Sequence, residues 1–210
     1  GEVYVVESVE RVDRFTVVRG RLDGLVDAPT IRFVVDERYL ATADSNNQIA
    51  VLSAAQIGAL SGEQVAGFST TQIGKMTTAQ IGSLSATQVP SLTESQLGAM
   101  STAQIAAIKA DVIDNLTTEQ VAMLSTDDTN GKSQIQALTT TQVVALKSEQ
   151  IAGMTATQLG QFSAAQIGTL TAEQAPGLTA EQVKGWSSAQ FAAIKNTTFA
   201  ALSTDVIAGL

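Results

Sequence analysis

LSAAQIGA LSGEQVAG FSTTQIGK MTTAQIGS, residues 52–83, spells one eight-residue phrase four times, and the phrase continues to the end of the chain. Let its positions be a to h. Position a is Leu, Met, Phe, Ile or Trp, b is mostly Ser or Thr, and e is mostly Gln. Position f is mostly Ile, Val or Leu, and Gly or Ala is frequent at g and h. Nineteen such octads, numbered here from 1, occupy residues 52–209, and a degenerate one precedes them at 44–51.

The period decides what the phrase can fold into. An α-helix turns about 100° per residue, so eight residues carry a repeated side chain roughly 80° past two full turns. In one continuous helix the apolar positions would therefore spiral around the axis. Positions a and f are also about 140° apart on a helical wheel, too far for one narrow stripe. Spacings of five and then three do not match the period of two of a half-buried strand.

The phrase does match a helix start. Ser or Thr at b with Gln three residues later is a capping box, and the apolar pair at a and f falls at N′ and N4, the positions of a hydrophobic staple. Leu52 with Ile57, Phe68 with Ile73 and Leu92 with Leu97 are instances. Gly at g or h (Gly58, Gly67, Gly74, Gly82, Gly98, Gly160, Gly168) is expected to end each helix in the left-handed conformation, and Pro90 and Pro176 add a second kind of stop. Helices of one or two turns are unstable alone. The expected fold is therefore mainly α: a solenoid of very short capped helices over 44–210, each burying a and f against its neighbours with c, d and h in water. At two octads per coil and a helix spacing of about 8–10 Å, the array would form a rod on the order of 100 Å.

Residues 1–43 have a different grammar. All six Arg lie there (Arg11, Arg14, Arg19, Arg21, Arg32, Arg38), whereas all six Lys (Lys75, Lys109, Lys132, Lys147, Lys184, Lys195) lie among the octads. VYVVESV (3–9), RFTVVRGRL (14–22) and TIRFVVDERYL (30–40) are rich in β-formers and bounded by turn residues, so a small N-terminal β module of three strands is expected, serving as an end cap or a docking element. So short a sheet is marginal by itself and leans on the first octads or pairs its edge with another chain.

Composition narrows the function. A net charge of −8 and a pI near 4.4 argue against nucleic acid or an anionic membrane surface as partner. No apolar run approaches the roughly 20 residues of a spanning helix, so no membrane insertion is expected. Cys and His are both absent, which removes disulfides, thiolate chemistry and the commonest general base and metal ligand. Absence of Cys suits an intracellular protein and equally a long exported bacterial chain. The chain opens on Gly1 without a signal-like stretch and ends on Leu210, where a further octad would begin, so a processed chain or a fragment is expected.

Octads 8 (108–115) and 18 (194–201) lose both the hydroxyl cap and the Gln, and can be corners, contacts or drift. Six residues, DDTNGK at 127–132, interrupt octad 10. Asp127 and Asp128 with Asn130 offer oxygen ligands for calcium, but the spacing places Thr126 and Ala137 where an ion loop needs acids. A surface turn is preferred, and no cofactor is expected otherwise.

No catalytic residue emerges. The recurring Gly fits helix ends rather than phosphate, and Glu63, Glu119, Glu149, Glu173 and Glu181 at position d suit the positive first turn of a helix. Capping accounts for the Gln at e better than an outward-facing ladder does. Trp186 at position a is a core anchor. Asn115-Leu116-Thr117 and Asn196-Thr197-Thr198 are glycosylation sequons by pattern.

Octads such as LTTEQVAM (116–123), LTTTQVVA (138–145) and LTAEQVKG (178–185) resemble the opening helix of the repeats of transcription-activator-like effectors. The likeness ends after about nine residues, with neither the base-reading loop nor the spacing of those repeats, so it does not imply DNA reading. The array is more similar to the L-[ST]-x-x-Q-[IV]-x-x octapeptide arrays of large secreted or surface-attached bacterial proteins, described as adhesin-like. That resemblance implies a non-enzymatic structural or adhesive role, extracellular or on the cell surface, as a stalk, spacer or fibre subunit. Self-association through the N-terminal β module, or contact with other structural subunits, is the expected partnership. The alternatives are a phage tail or virion appendage and a repeat scaffold that binds a ligand.

Overall fold

A hydroxyl and an amide set three residues apart open nearly every octad as their chemistry dictates. In octad 4 the Thr77 hydroxyl accepts from the Gln80 backbone N–H at 3.2 Å, while Gln80 Oε1 accepts from the Thr77 N–H at 2.7 Å. The cap residue is extended (φ −73°, ψ 159°) and the next residue is helical. Among the residues that the computed structural model describes (4–12, 15–22, 31–36, 49–126 and 133–210), this pattern yields sixteen α-helices of four to six residues. Each is far too short to persist alone.

The chain divides into two compact units, Gly1–Val51 and Leu52–Leu210. In the first, three strands form an antiparallel sheet in the order β1 (Tyr4–Val12), β2 (Phe15–Leu22), β3 (Ile31–Asp36). Val9 faces Val18 across β1 and β2, Val18 faces Phe33 across β2 and β3, and the first register shifts between Val6 and Ser8.

The second unit is a helical repeat array. The helix of one octad packs on the helix three octads later: Ala54–Gly58 on Thr78–Ile81, Thr70–Lys75 on Glu94–Ala99, Ala156–Gly160 on Ala180–Lys184. A coil therefore holds about three octads, not the two expected, and nineteen octads make correspondingly fewer coils. Between them runs a core of f and a residues. Position f is fully buried from Ile57 to Val183, and from Phe68 to Trp186 position a stays below a tenth exposed. Burying one such Val, Leu or Ile contributes about 1.5–3 kcal/mol.

Helices do not end as expected. The residues after Gly62–Ala66, Thr78–Ile81 and Ala164–Ile167 are Gly67, Gly82 and Gly168, and their φ angles of −74°, −65° and −64° are right-handed. What stops the longer helices is position a itself, which turns extended. Met76, at φ −60° and ψ 143°, sends its N–H three residues back to the Ile73 carbonyl and leaves the helix. Some of the glycines instead answer a close approach, whereas Gly98 has open space beside it. A Cβ on Gly82 would lie 3.2 Å from the Ala107 carbonyl oxygen of the next coil, and one on Gly177 would overlap the Ser148 carbonyl of the coil before it.

The irregular octads keep the path. Octads 8 and 18 still form helices, Ala110–Ile113 and Asn196–Ala200, with Lys109 and Lys195 as uncapped N-caps, so neither is a corner. Pro90 and Pro176 do not block a helix start: Ser85 and Thr171 keep their caps with Gln88 and Gln174, and the turn tightens to the 3-10 segments Val89–Ser91 and Ala175–Gly177. At octad 12 Lys147 supplies no hydroxyl. Only its N–H is held, by Gln150 Oε1 at 2.7 Å, while its ammonium reaches the Asp114 carbonyl at 2.8 Å and the Asp114 carboxylate at 3.6 Å.

Candidate functional site

The most regular chemistry in the molecule is the row of Gln side chains at position e, and it faces inward. From Gln72 to Gln190 fourteen of them are 1–4% exposed. Each Oε1 accepts from its own cap N–H, the role that the capping box assigns. The other end of the amide was not legible as capping. Gln88 Nε2 donates to the carbonyls of Ile57 (2.9 Å) and Leu60 (2.7 Å), 31 and 28 residues earlier. Gln104 reaches Ile73 and Met76 at 2.8 Å each, and Gln174 reaches Val143 at 2.7 Å and Leu146 at 2.6 Å. The acceptors are the carbonyls from f to a where a helix of the preceding coil ends: Gln96 also touches the Ala66 carbonyl between them, and an f carbonyl such as that of Ile73 already takes the backbone N–H three residues on. One primary amide thus caps the start of its own helix and the end of another.

A carboxylate at e would cap its own helix equally well and would suit the helix dipole. Yet e is Gln in sixteen of nineteen octads and Glu in none, although five octads carry Glu at the neighbouring position d. That exclusion is the sequence signal for the second bond. Only an amide can accept at one end and donate at the other.

The three octads without Gln show what the row tolerates. Octad 8 has Val112 and octad 19 has Val206 at e, both buried and apolar. Octad 18 has Thr198, whose hydroxyl donates to the Leu170 carbonyl at 2.7 Å, reproducing one of the two bonds.

Across the six-residue insertion the row counts octads rather than residues. The Ser125 N–H is held by Gln134 Oε1 at 2.9 Å, and Gln134 Nε2 reaches Leu97 and Met100 at 2.8 Å, now 37 and 34 residues back. Gln142, Gln150 and Gln158 share the lengthened offset, and Gln166 returns to 31 and 28. Beside the junction, Gln161 Nε2 donates to the Thr126 carbonyl at 2.7 Å, and its Oε1 accepts from the Ser133 hydroxyl at 2.5 Å. Asp127, Asp128 and Asn130, weighed as calcium ligands, lie outside the described residues, and among those described no group of three or more His, Cys, Asp or Glu is placed to hold a metal.

A sequence-family model described as the ALTTAQ repeat matches residues 94–126. Those six letters are positions h and a to e of the octad, spelled AMSTAQ at residues 99–104 inside the matched stretch and ALTTTQ at 137–142 beyond it. Those letters thus spell the hydroxyl that caps each helix and the amide that reaches the coil before it. No curated protein and no solved structure matches the chain.

Outside the row the surface is small and polar. Two shallow depressions lie beside stacked octads, one lined by Pro90, Thr93, Glu94, Thr117 and Glu119, the other by Gln136, Thr139, Thr140 and Gln161. Glu119 is held below the usual carboxylate range by its own backbone N–H and the Thr117 hydroxyl, and Glu173 likewise by its own N–H and Thr171. No helix among the described residues is long and apolar enough to cross a membrane.

Proposed function

We propose that the chain is a non-enzymatic structural repeat protein, a stalk, spacer or fibre subunit of a bacterial surface or secreted assembly. One observation carries this reading: the recurring amide of each octad is consumed inside the array, tying coil to coil, and the side chains left outside are mostly Ser, Thr, Ala and Gly. The repetition therefore serves extension, since each added octad brings its own core residues and its own joining amide. The ALTTAQ repeat match supports the repeat character and the resemblance to octapeptide arrays supplies the surface or secreted setting. The three N-terminal strands serve in this reading as the module that caps the array or docks it to other subunits.

Inserting three consensus octads between octads 14 and 15 tests it. Small-angle scattering should register one further coil, about 8–10 Å of added length at a helix-packing spacing. An unchanged maximum dimension, or a disordered insert by circular dichroism, would refute an extensible array.

A further inference from the structure

Inside the array, octad 8 meets the coil before it without the polar tie that its neighbours make. Its e residue is Val112, so among the described residues the Leu84 carbonyl receives no donor and the Ile81 carbonyl keeps only the Leu84 N–H at 3.1 Å. Its own helix lacks a side-chain cap, because Lys109 supplies none. Packing is thin at the same place: the 3-10 segment Val89–Ser91 of octad 5 packs on Gly62–Ala66 of octad 2, but octad 8 does not pack on it comparably. What holds this edge is apolar, with Ile108, Val112 and Ile113 buried. On either side the ties are intact. Gln104 of octad 7 bonds Ile73 and Met76, and Gln120 of octad 9 bonds Val89 and Leu92.

The same constellation returns 86 residues on. The 3-10 segment Ala175–Gly177, with Pro176, packs on Ser148–Gly153 but not comparably on Asn196–Ala200, whose N-cap Lys195 again gives no side-chain cap and whose Thr198 makes a single bond to the coil before. In both places the helix end that faces the gap closes on itself: the Ser83 and Thr169 hydroxyls donate to the Gln80 and Gln166 carbonyls at 2.7 Å. We propose that the edge at octad 8 is a one-sided hinge, repeated in weaker form at octad 18. A hydrogen bond weakens steeply with distance and angle, whereas apolar contact has no preferred direction. The coil of octads 7, 8 and 9 therefore keeps its two tied joins as an axis and parts at the third, bending the array there without unfolding it. The hinge goes beyond the structural reading above, which a rod of uniform joins would serve equally.

Because the chain has no cysteine, pairs of spin labels can be placed at will, and pulsed electron resonance on the full-length chain tests the hinge. One pair, at Thr87→Cys and Asp111→Cys, spans octads 5 and 8; a control pair, at Ala79→Cys and Ala103→Cys, spans octads 4 and 7 at the same exposed position d. The first pair should show a distance distribution broadened toward longer values by about 4–5 Å, half of a coil spacing of about 8–10 Å, and the control pair a narrow one. Lys109→Ser with Val112→Gln restores the cap and the joining amide and should narrow the first distribution to the width of the control. Equal widths for the two pairs in the otherwise unaltered chain overturn the proposal, and that comparison stands even where the restored variant does not fold. A folded restored variant, checked by circular dichroism, whose distribution stays broad overturns it too. Either refutation leaves the extensible array in place, since the added-coil experiment reads length and not bending.

Discussion

Gln142 offers the sharpest test of the two-ended amide. It is 1% exposed; its Oε1 accepts from the Thr139 N–H at 2.8 Å and its Nε2 donates to the carbonyls of Ile108 at 2.6 Å and Ile105 at 2.9 Å. Gln142→Leu keeps the bulk but leaves the buried Ile108 carbonyl bare and the cap N–H without its acceptor, a loss of about 2–4 kcal/mol at every pH. Gln142→Glu keeps the cap acceptor and turns the other atom into an oxygen facing two carbonyls. A protonated carboxyl still donates one hydrogen bond there; a carboxylate donates none. The folded state therefore raises the pKa of the new Glu above its unfolded value of about 4.3. Relative to the unaltered chain, the variant is close to full stability below pH 4. It then loses about 1.4 kcal/mol per pH unit until the raised pKa is reached, up to about 4 kcal/mol at neutrality. Urea unfolding followed by far-UV circular dichroism between pH 4 and pH 8 measures both variants. A Gln142→Glu chain as stable as its parent at pH 7, or a Gln142→Leu chain with the same pH dependence, would show that Nε2 does not make the join.

Other consequences are as direct. Gly177→Ala brings a Cβ onto the Ser148 carbonyl and should cost about 1–3 kcal/mol, whereas Gly98→Ala, inside a helix with open space around the added carbon, should stabilise by about 0.5–1 kcal/mol; thermal melts compare the two. Ile151→Ala in the sealed core should destabilise by about 2–5 kcal/mol, measured by urea midpoint, while Ile207→Ala, at a side chain 42% exposed, should cost far less. Deleting residues 127–132 should leave the melting temperature level or slightly raised, because Ser125 and Gln134 already close their octad; a loss of cooperativity would contradict that register. Glu119 and Glu173 have lowered pKa values, so their contribution is present above the ordinary Glu value of 4.5 and fades as the pH falls below it; replacing both by Gln should flatten that acid limb of the stability profile.

The parts of this fold legible in the sequence are those whose physics is local. A hydroxyl three residues before an amide, and an apolar pair five apart, specify a helix start whatever surrounds them, and Ser53 with Gln56 or Ser101 with Gln104 form as their spacing dictates. The bond from Gln88 to Ile57 spans 31 residues and depends on how many octads close a coil, a quantity set by core packing that no single octad encodes. Glycine misled for a related reason: Gly82 and Gly168 have the same letter whether the backbone needs a positive φ or a neighbour needs room, and only the coil beside them distinguishes the cases. Phe199 and Ile207 likewise hold the same position f as the sealed Ile73, and the letter at f does not say how much of it is covered.

Because the amide of one octad reaches the boundary between the third and fourth before it, no octad is privileged as the place where a coil begins or closes. A gene encoding such a tract can gain or lose a single repeat by replication slippage, and every surviving amide will still find a helix end waiting at the right offset. Length then becomes a trait that drifts in fine steps without a folding penalty, which lets selection set the reach of such a protein much as one sets the length of a chain, a link at a time.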